Sequence, residues 1–179
     1  LYVFLTSFIR TSCHLYIPSA KMMAKKVKVL YMKFIKHHGH TSILIAGCGR
    51  LGSCMASSLS QEGFDVTVID KDEKAFRRLR ETFSGFQVIG DASDLDMLQS
   101  CGIANADIVV VATDSDNVNC MIAQIANMIF HIQQVYIRLN DPDKEELLKD
   151  TNIQAIYPAK LSMQEFIRIS HIQLKELYA

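Results

Sequence analysis

The sequence predicts an α/β fold of the doubly wound kind, a six-stranded parallel sheet with helices on both faces. Three observations carry this. Short apolar runs alternate with helical stretches six times after residue 41. The first run leads directly into Gly47-Cys48-Gly49-Arg50-Leu51-Gly52. The second run ends in an acid, Asp70. A GxGxxG that leaves a strand, opens a helix and is followed by an acid at the end of the next strand is the dinucleotide-binding signature of a Rossmann-type sheet.

The elements follow in order. Ile43-Leu44-Ile45-Ala46 is continuously apolar, as a strand buried on both faces must be. Leu51, Met55 and Leu59 recur every four residues and predict a helix, ended by Gly63. Val66-Thr67-Val68-Ile69 is the second strand. Residues 72–83 are charged and predict a second helix with Ala75, Leu79 and Phe83 on one face. Phe86-Gln87-Val88-Ile89 is the third strand, and Ser93 with Asp96 predicts a capping box before a helix that stops at Gly102. Ile108-Val109-Val110-Val111 is the fourth strand. Val118, Met121, Ile122, Ile125, Ala126 and Ile129 trace one face of the next helix. Val135-Tyr136-Ile137 is the fifth strand, and Asp141-Pro142 opens a helix to about Lys149. Gln154-Ala155-Ile156 is the sixth, and a final helix is expected from about Ala159 to Leu177.

Composition narrows the class. Hydrophobic residues are 49% and charged residues 21%, which is globular rather than disordered. Residues 1–61 hold eight Lys and Arg and no acid, and the remainder holds eleven against nineteen Asp and Glu, so the two parts carry +8 and −8. Residues 1–40 form a basic extension. It reads either as an upstream tail outside the native domain, or as an arm for a membrane surface or acidic partner through Lys21, Lys25, Lys26, Lys28, Lys33 and Lys36. DNA-binding motifs are lacking, so no nucleic-acid partner is expected. Five cysteines without a CxxC pair argue against a disulfide framework or zinc site and for a reducing cytosol. No apolar run reaches the roughly 18–20 residues of a membrane helix. Arg10 follows the apolar opening instead of preceding it, which is the wrong order for a secretory signal. The boundaries are therefore 1–40 for the extension, 41–158 for the nucleotide-binding domain and 159–179 for the last helix.

The chemistry of the motif assigns a role to each position. Gly47 permits the tight turn, Gly49 lets backbone approach a pyrophosphate, and Gly52 allows close helix–strand packing. The positive end of the helix that follows attracts phosphate. Asp70 is expected to accept from ribose hydroxyls and to repel a 2′-phosphate, which favours NAD or adenosine nucleotides over NADP. Nothing in the strand–helix turn itself calls for an acid at that position. Cys48 reads as a small buried residue rather than a redox thiol. Arg50 faces either phosphate or solvent. Ligands of such sheets sit at the carboxyl ends of the strands. Three further sites qualify: Asp91 with Ala92, Thr113 with Asp114, and Arg138. Asp91, Thr113 and Asp114 have helix capping as the alternative role, and Arg138 has an ion pair. No catalytic arrangement of His with Ser or Asp is evident, and metal-ligand spacing is absent. Only about 20 residues follow the sixth strand, too few for a substrate domain.

Taken together, GCGRLG, VTVID, VIGDASDLDMLQSCGIANADIVVVATDSDN and VYIRLNDPDKEELLKDTNIQAIYP resemble the nucleotide-binding lobe of the Trk/Ktr potassium-uptake regulators, the RCK type of domain. The likeness covers about residues 42–165. It implies a non-enzymatic cytoplasmic subunit that binds NAD(H) or ATP/ADP and gates an integral-membrane potassium transporter or channel. It also implies peripheral attachment to the inner face of the membrane through that partner, and homodimers assembled into rings. Carried onto this chain, the nucleotide site comprises Gly47, Cys48, Gly49, Arg50, Leu51, Gly52, Asp70, Lys71, Asp91, Ala92, Thr113, Asp114 and Arg138. The last helix corresponds to the family's crossover helix, with Met163, Phe166 and Ile167 toward a partner subunit or, alternatively, toward its own sheet. The family's second, C-terminal regulatory lobe has no counterpart before Ala179. The competing function is a small NAD-dependent oxidoreductase.

Overall fold

Six parallel strands are laid side by side in the order β3-β2-β1-β4-β5-β6. The computed structural model describes residues 41–171. The strands are β1 (Ser42–Ala46), β2 (Asp65–Asp70), β3 (Phe86–Ile89), β4 (Ile108–Val111), β5 (Gln134–Arg138) and β6 (Ile153–Ile156). β1 lies at the centre because the chain builds outward from it in both directions. Leu44 pairs with Thr67 on one side and with Val109 on the other. The order reverses between β1 and β4, so the connections leaving their carboxyl ends diverge and open a crevice there.

Alternation along each strand divides the core in two. Leu44, Ala46, Ile69, Val109, Val111, Val135 and Ile137 pack with Leu98, Ile122, Ala123 and Ala126. Ile43, Ile45, Val66, Val68 and Val110 pack with Ala56, Ala75 and Phe76 on the opposite face. Both faces of the sheet are therefore covered by helical segments, as the continuous apolar runs require. Each fully buried Ile or Leu contributes about 1.5–3 kcal/mol relative to exposure.

The helices depart from expectation in instructive ways. α1 (Arg50–Gln61) buries Gly52, Ser53, Ala56, Ser57 and Ser60, whereas Leu51, Met55 and Leu59 are only half-buried along its flank. Small residues on the inner face let the helix axis approach the sheet, and the larger ones are displaced sideways. The expected helix over 72–83 is a 3-10 segment, Glu73–Arg78, after which Leu79 turns extended. The hydroxyls of α1 cause the break. Ser57 Oγ accepts from Arg80 N at 3.1 Å and Ser60 Oγ accepts from Ser84 N at 3.1 Å, so these backbone groups are tied to α1 instead of continuing a helix.

α2 (Leu95–Ser100) is capped by Asp94, which accepts from Asp96 N, and the Ser93–Asp96 capping box does not form. Ser93 is turned to Asp91 instead. α3 (Asp116–Gln124) runs on into a π-helical turn, Ile125–Ile129. Its inner face holds Asp116, Asn119, Cys120, Ile122 and Ala123, while Met121 and Ile129 are exposed. The face is rotated from the purely apolar one because two polar side chains are buried and satisfied. The Asp141-Pro142 segment is 3-10 rather than α, over Pro142–Leu148, and Asp141 accepts from Asp143 N at its start. α4 (Pro158–Ser170) follows β6, and His171 takes φ 55° after it. No residue of α4 is buried. The expectations for residues 1–40 and for the helix beyond His171 lie outside the described residues.

Asp116 shows why a carboxylate is tolerated in the core. One oxygen accepts from Asn140 N and Asp141 N, each at 2.9 Å, and the other accepts from Asn140 Nδ2 at 3.1 Å. Replacing Asp116 by Ala leaves three donors without their acceptor. The substitution should lower the free energy of unfolding by about 2–3 kcal/mol, read from the urea midpoint. A loss below about 0.5 kcal/mol would mean that water replaces the carboxylate without penalty.

Candidate functional site

At the end of β1 the chain must reverse within one residue to start α1. Gly47 does this with φ +99°. A Cβ there would lie 2.7 Å from Ala112 O and 2.8 Å from Thr113 N, so backbone excludes any side chain as well. The Gly47 N–H donates to Ile69 O at 2.8 Å, which ties the turn to β2. Gly52 is constrained from within the loop: a Cβ would stand 1.9 Å from Gly47 O. Its contact is thus with the first glycine more than with the strand. Gly49 differs, since a Cβ there would meet nothing closer than Ala112 O at 4.0 Å. No protein atom crowds that position.

Gly49 is also the N-cap of α1 and supplies no side-chain acceptor, and the first turn carries no acid. The helix therefore begins with N–H groups that no side chain caps and with no acid in its own first turn, which suits it to hold an anion.

Asp70 has a structural role that the sequence pattern did not disclose. Its Oδ2 accepts from Cys48 N at 2.6 Å and its Oδ1 from Asp72 N at 2.9 Å. The acid pins the glycine loop to the end of β2. The view that the turn has no need of an acid is thereby corrected. Each oxygen retains acceptor capacity, since a carboxylate offers about four sites.

A cleft of about 550 Å³ opens over this edge. Gly47, Gly49, Arg50, Asp70, Lys71, Asp91, Ala92, Thr113, Asp114 and Arg138 all line it. Cys48, Leu51 and Gly52 do not; they shape the turn behind it. Cys48 is buried, and burial first, then the nearby Asp70 charge, pushes its thiol up to about 11, with Arg78 opposing.

The capping alternatives resolve. Ser115, not Thr113 or Asp114, caps α3, accepting from Val118 N at 3.4 Å. Asp91 does not cap α2; its Oδ1 accepts from Ser93 N and Ser93 Oγ at 2.8 and 2.7 Å. Those hydrogen bonds hold its carboxyl below the usual range, with a smaller contribution from Lys71. Arg138 donates to Thr113 O and Asn140 Oδ1 at 3.3 and 3.1 Å. Among the described residues no carboxylate pairs with it.

Asp72, Arg78, Ser93, Ser115, Val118 and Ile122 also line the cleft, and sequence reasoning did not assign them to it. Ser115 was legible as a helix cap. Arg78 was not, because the residue pattern placed it on an α-helix over 72–83, and the segment is a short 3-10 turn that ends at Arg78. The lining carries four basic side chains, Arg50, Lys71, Arg78 and Arg138, and four acidic ones, Asp70, Asp72, Asp91 and Asp114. Such a mixed surface suits a ligand with both anionic and hydroxyl groups. Among the described residues, no group of three His, Cys, Asp or Glu is placed to hold a metal ion, and no helix is long and apolar enough to cross a membrane.

Comparison with known proteins supports the family and the fold. The model of the TrkA-N domain matches residues 43–158. The Trk system potassium uptake protein TrkA of Streptomyces coelicolor is 35% identical over 126 residues, covering 70% of this chain and 56% of that protein. The TrkA homolog of Pyrococcus abyssi is 32% identical over 108 residues, 60% of this chain and 48% of that protein. This chain spans about half the length of these curated relatives. Among solved structures, the TrkA-N domain of the inner membrane protein ybaL from Escherichia coli superposes with a TM-score of 0.64 at 16% identity, covering 74% of this chain and 98% of that one. The Kef C-terminal domain of Shewanella denitrificans in AMP-bound form gives 0.57 at 20% identity, with coverage of 75% and 83%. Both support the fold.

The buried thiol yields a direct test. Only thiolate reacts with iodoacetamide, and a titration near pH 11 leaves roughly one Cys48 thiol in a thousand ionised at pH 8. At pH 8 the exposed Cys54 should be alkylated first and Cys48 only after urea unfolding, as followed by peptide mass spectrometry. Native labelling of Cys48 at the rate of Cys54 would contradict the packed loop. Raising the pH toward 11 should accelerate Cys48, because the charged form becomes populated.

Proposed function

The chain belongs to the TrkA-N domain family, and on that premise we propose that it is the regulatory nucleotide-binding domain of a potassium uptake system. The observation that carries the reading is the uncapped start of α1 at Gly49, facing the same cleft as Asp70 and Arg138. The helix end and Arg138 receive phosphate, while Asp70 and Asp91 face ribose and base. The ligand is NAD(H) or ATP/ADP. The relatives' name, a potassium uptake protein, supports regulation over catalysis, and so does the solved GsuK channel bound to NAD, a likeness of fold at 15% identity.

The partner in this reading is an integral-membrane potassium transporter subunit, with the domain on the cytoplasmic side, held at the membrane through that partner. Self-assembly uses α4. Leu161, Met163, Phe166 and Ile169 are exposed on it, and Ile167 is half-buried. An unburied helix with this many large apolar residues suits a subunit contact better than solvent. The nucleotide acts by binding one arrangement of paired subunits more tightly than another, which is the sole means by which a ligand shifts such an equilibrium.

Calorimetry with NAD, NADH, ATP and ADP should show binding in the micromolar range to at least one. Asp70→Ala should weaken it about tenfold or more, since it removes a ligand contact and frees the Cys48 N–H of the loop. Absence of heat with all four nucleotides would refute the sensor reading. Oxidation of NADH with any small substrate, followed at its absorbance band, would instead favour the oxidoreductase.

A further inference from the structure

Asn119, fully buried behind the cleft, decides what chemistry Thr113 can offer. Its Oδ1 accepts from Thr113 N at 3.0 Å, and its Nδ2 donates to Thr113 O at 3.2 Å and to Arg138 O at 2.9 Å. These three contacts fix which way the amide faces, because a backbone N–H needs an oxygen and two carbonyls need the nitrogen. Thr113 Oγ1 lies 2.6 Å from that same Oδ1. An amide oxygen has no hydrogen, so the hydroxyl donates, and this commits its single proton. The other acceptor in reach, Ser115 O at 3.4 Å, is a much poorer one. One lone pair of Oγ1 accepts from Ser115 N at 3.3 Å. One lone pair is left over, on a half-buried residue that lines the cleft. The Thr113 N–H is spent as well.

We propose that Asn119 is a positioning residue that turns Thr113 into a hydrogen-bond acceptor toward the nucleotide, so that the end of β4 recognises a donor group, a ribose hydroxyl or an exocyclic amine, and not a phosphate. The inference rests on the nucleotide reading given above. A phosphate oxygen is itself an acceptor, and a lone pair facing it repels. Phosphate is then left to the start of α1 and to Arg138. The same amide positions Arg138, whose carbonyl it holds and whose guanidinium donates to Thr113 O.

The test titrates the full chain with AMP and, separately, with pyrophosphate, which lacks carbon-bound donors. Thr113→Val should weaken AMP about tenfold and leave pyrophosphate within about twofold, and Thr113→Ser should restore AMP. Asn119→Ala should weaken AMP at least as much as Thr113→Val does, and pyrophosphate to a smaller extent because Arg138 loses its support; a melting curve of each free variant separates this from loss of fold, and the Thr113 pair carries the test if Asn119→Ala does not fold. Deoxyribose analogues and an analogue without the 6-amino group identify the donor: the one that lacks it loses nothing further in Thr113→Val. Equal weakening of AMP and pyrophosphate by Thr113→Val, or undiminished AMP binding, would overturn the proposal. A wild-type chain that binds neither probe refutes the nucleotide reading itself, a distinguishable result.

Discussion

The turn at Gly47 is the constraint on which the rest of the cleft depends. It packs directly on the backbone of Ala112 and Thr113 at the end of β4, donates to Ile69 at the end of β2, and meets Gly52 of α1 through its carbonyl. Three neighbouring strands and a helix thus converge on one residue. Backbone has no rotamers with which to yield, so a side chain at Gly47 would force the sheet edge apart. Asp70 closes the arrangement by holding the Cys48 N–H.

This convergence has an electrostatic consequence. With Asp70 already accepting two backbone donors and Asp91 accepting two bonds from Ser93, both acids are oriented before a ligand arrives. Preorganised groups lose less freedom on binding, so more of each contact remains as affinity. The same holds across the crevice, where Asn119 joins the ends of β4 and β5 and Asp116 fastens the chain leaving β5. The polar groups buried within α3 are therefore continuous with the cleft, and the helix serves the site as well as the core.

The contrast between α3 and α4 is also informative. α3 rotates to bury polar groups that bond strand ends, and in doing so leaves Met121 at its surface. α4 buries nothing, and its apolar residues remain available to another surface. One helix is spent on the site, the other on contacts beyond this domain in the regulatory reading.

The six strands, their parallel arrangement and the glycine loop were legible in the sequence, because continuous apolar runs and a GxGxxG at a strand end depend on local periodicity and on backbone geometry. Ten of the thirteen residues assigned to the site line the cleft for the same reason: they stand at the carboxyl ends of strands. What escaped was whatever depended on a partner distant in the chain. The helix expected over 72–83 is broken by Ser57 and Ser60, some 23 residues earlier. Asp70 reads as a ligand residue until Cys48 is seen beside it. Asn119 and Asp116 look like polar interruptions of an apolar face, and only the adjacent ends of β4 and β5 give them acceptors and donors. Periodicity tells a helix which side is apolar; the tertiary structure decided which polar groups that side must also satisfy, because a buried hydrogen-bonding group without its partner costs more than a lost apolar contact.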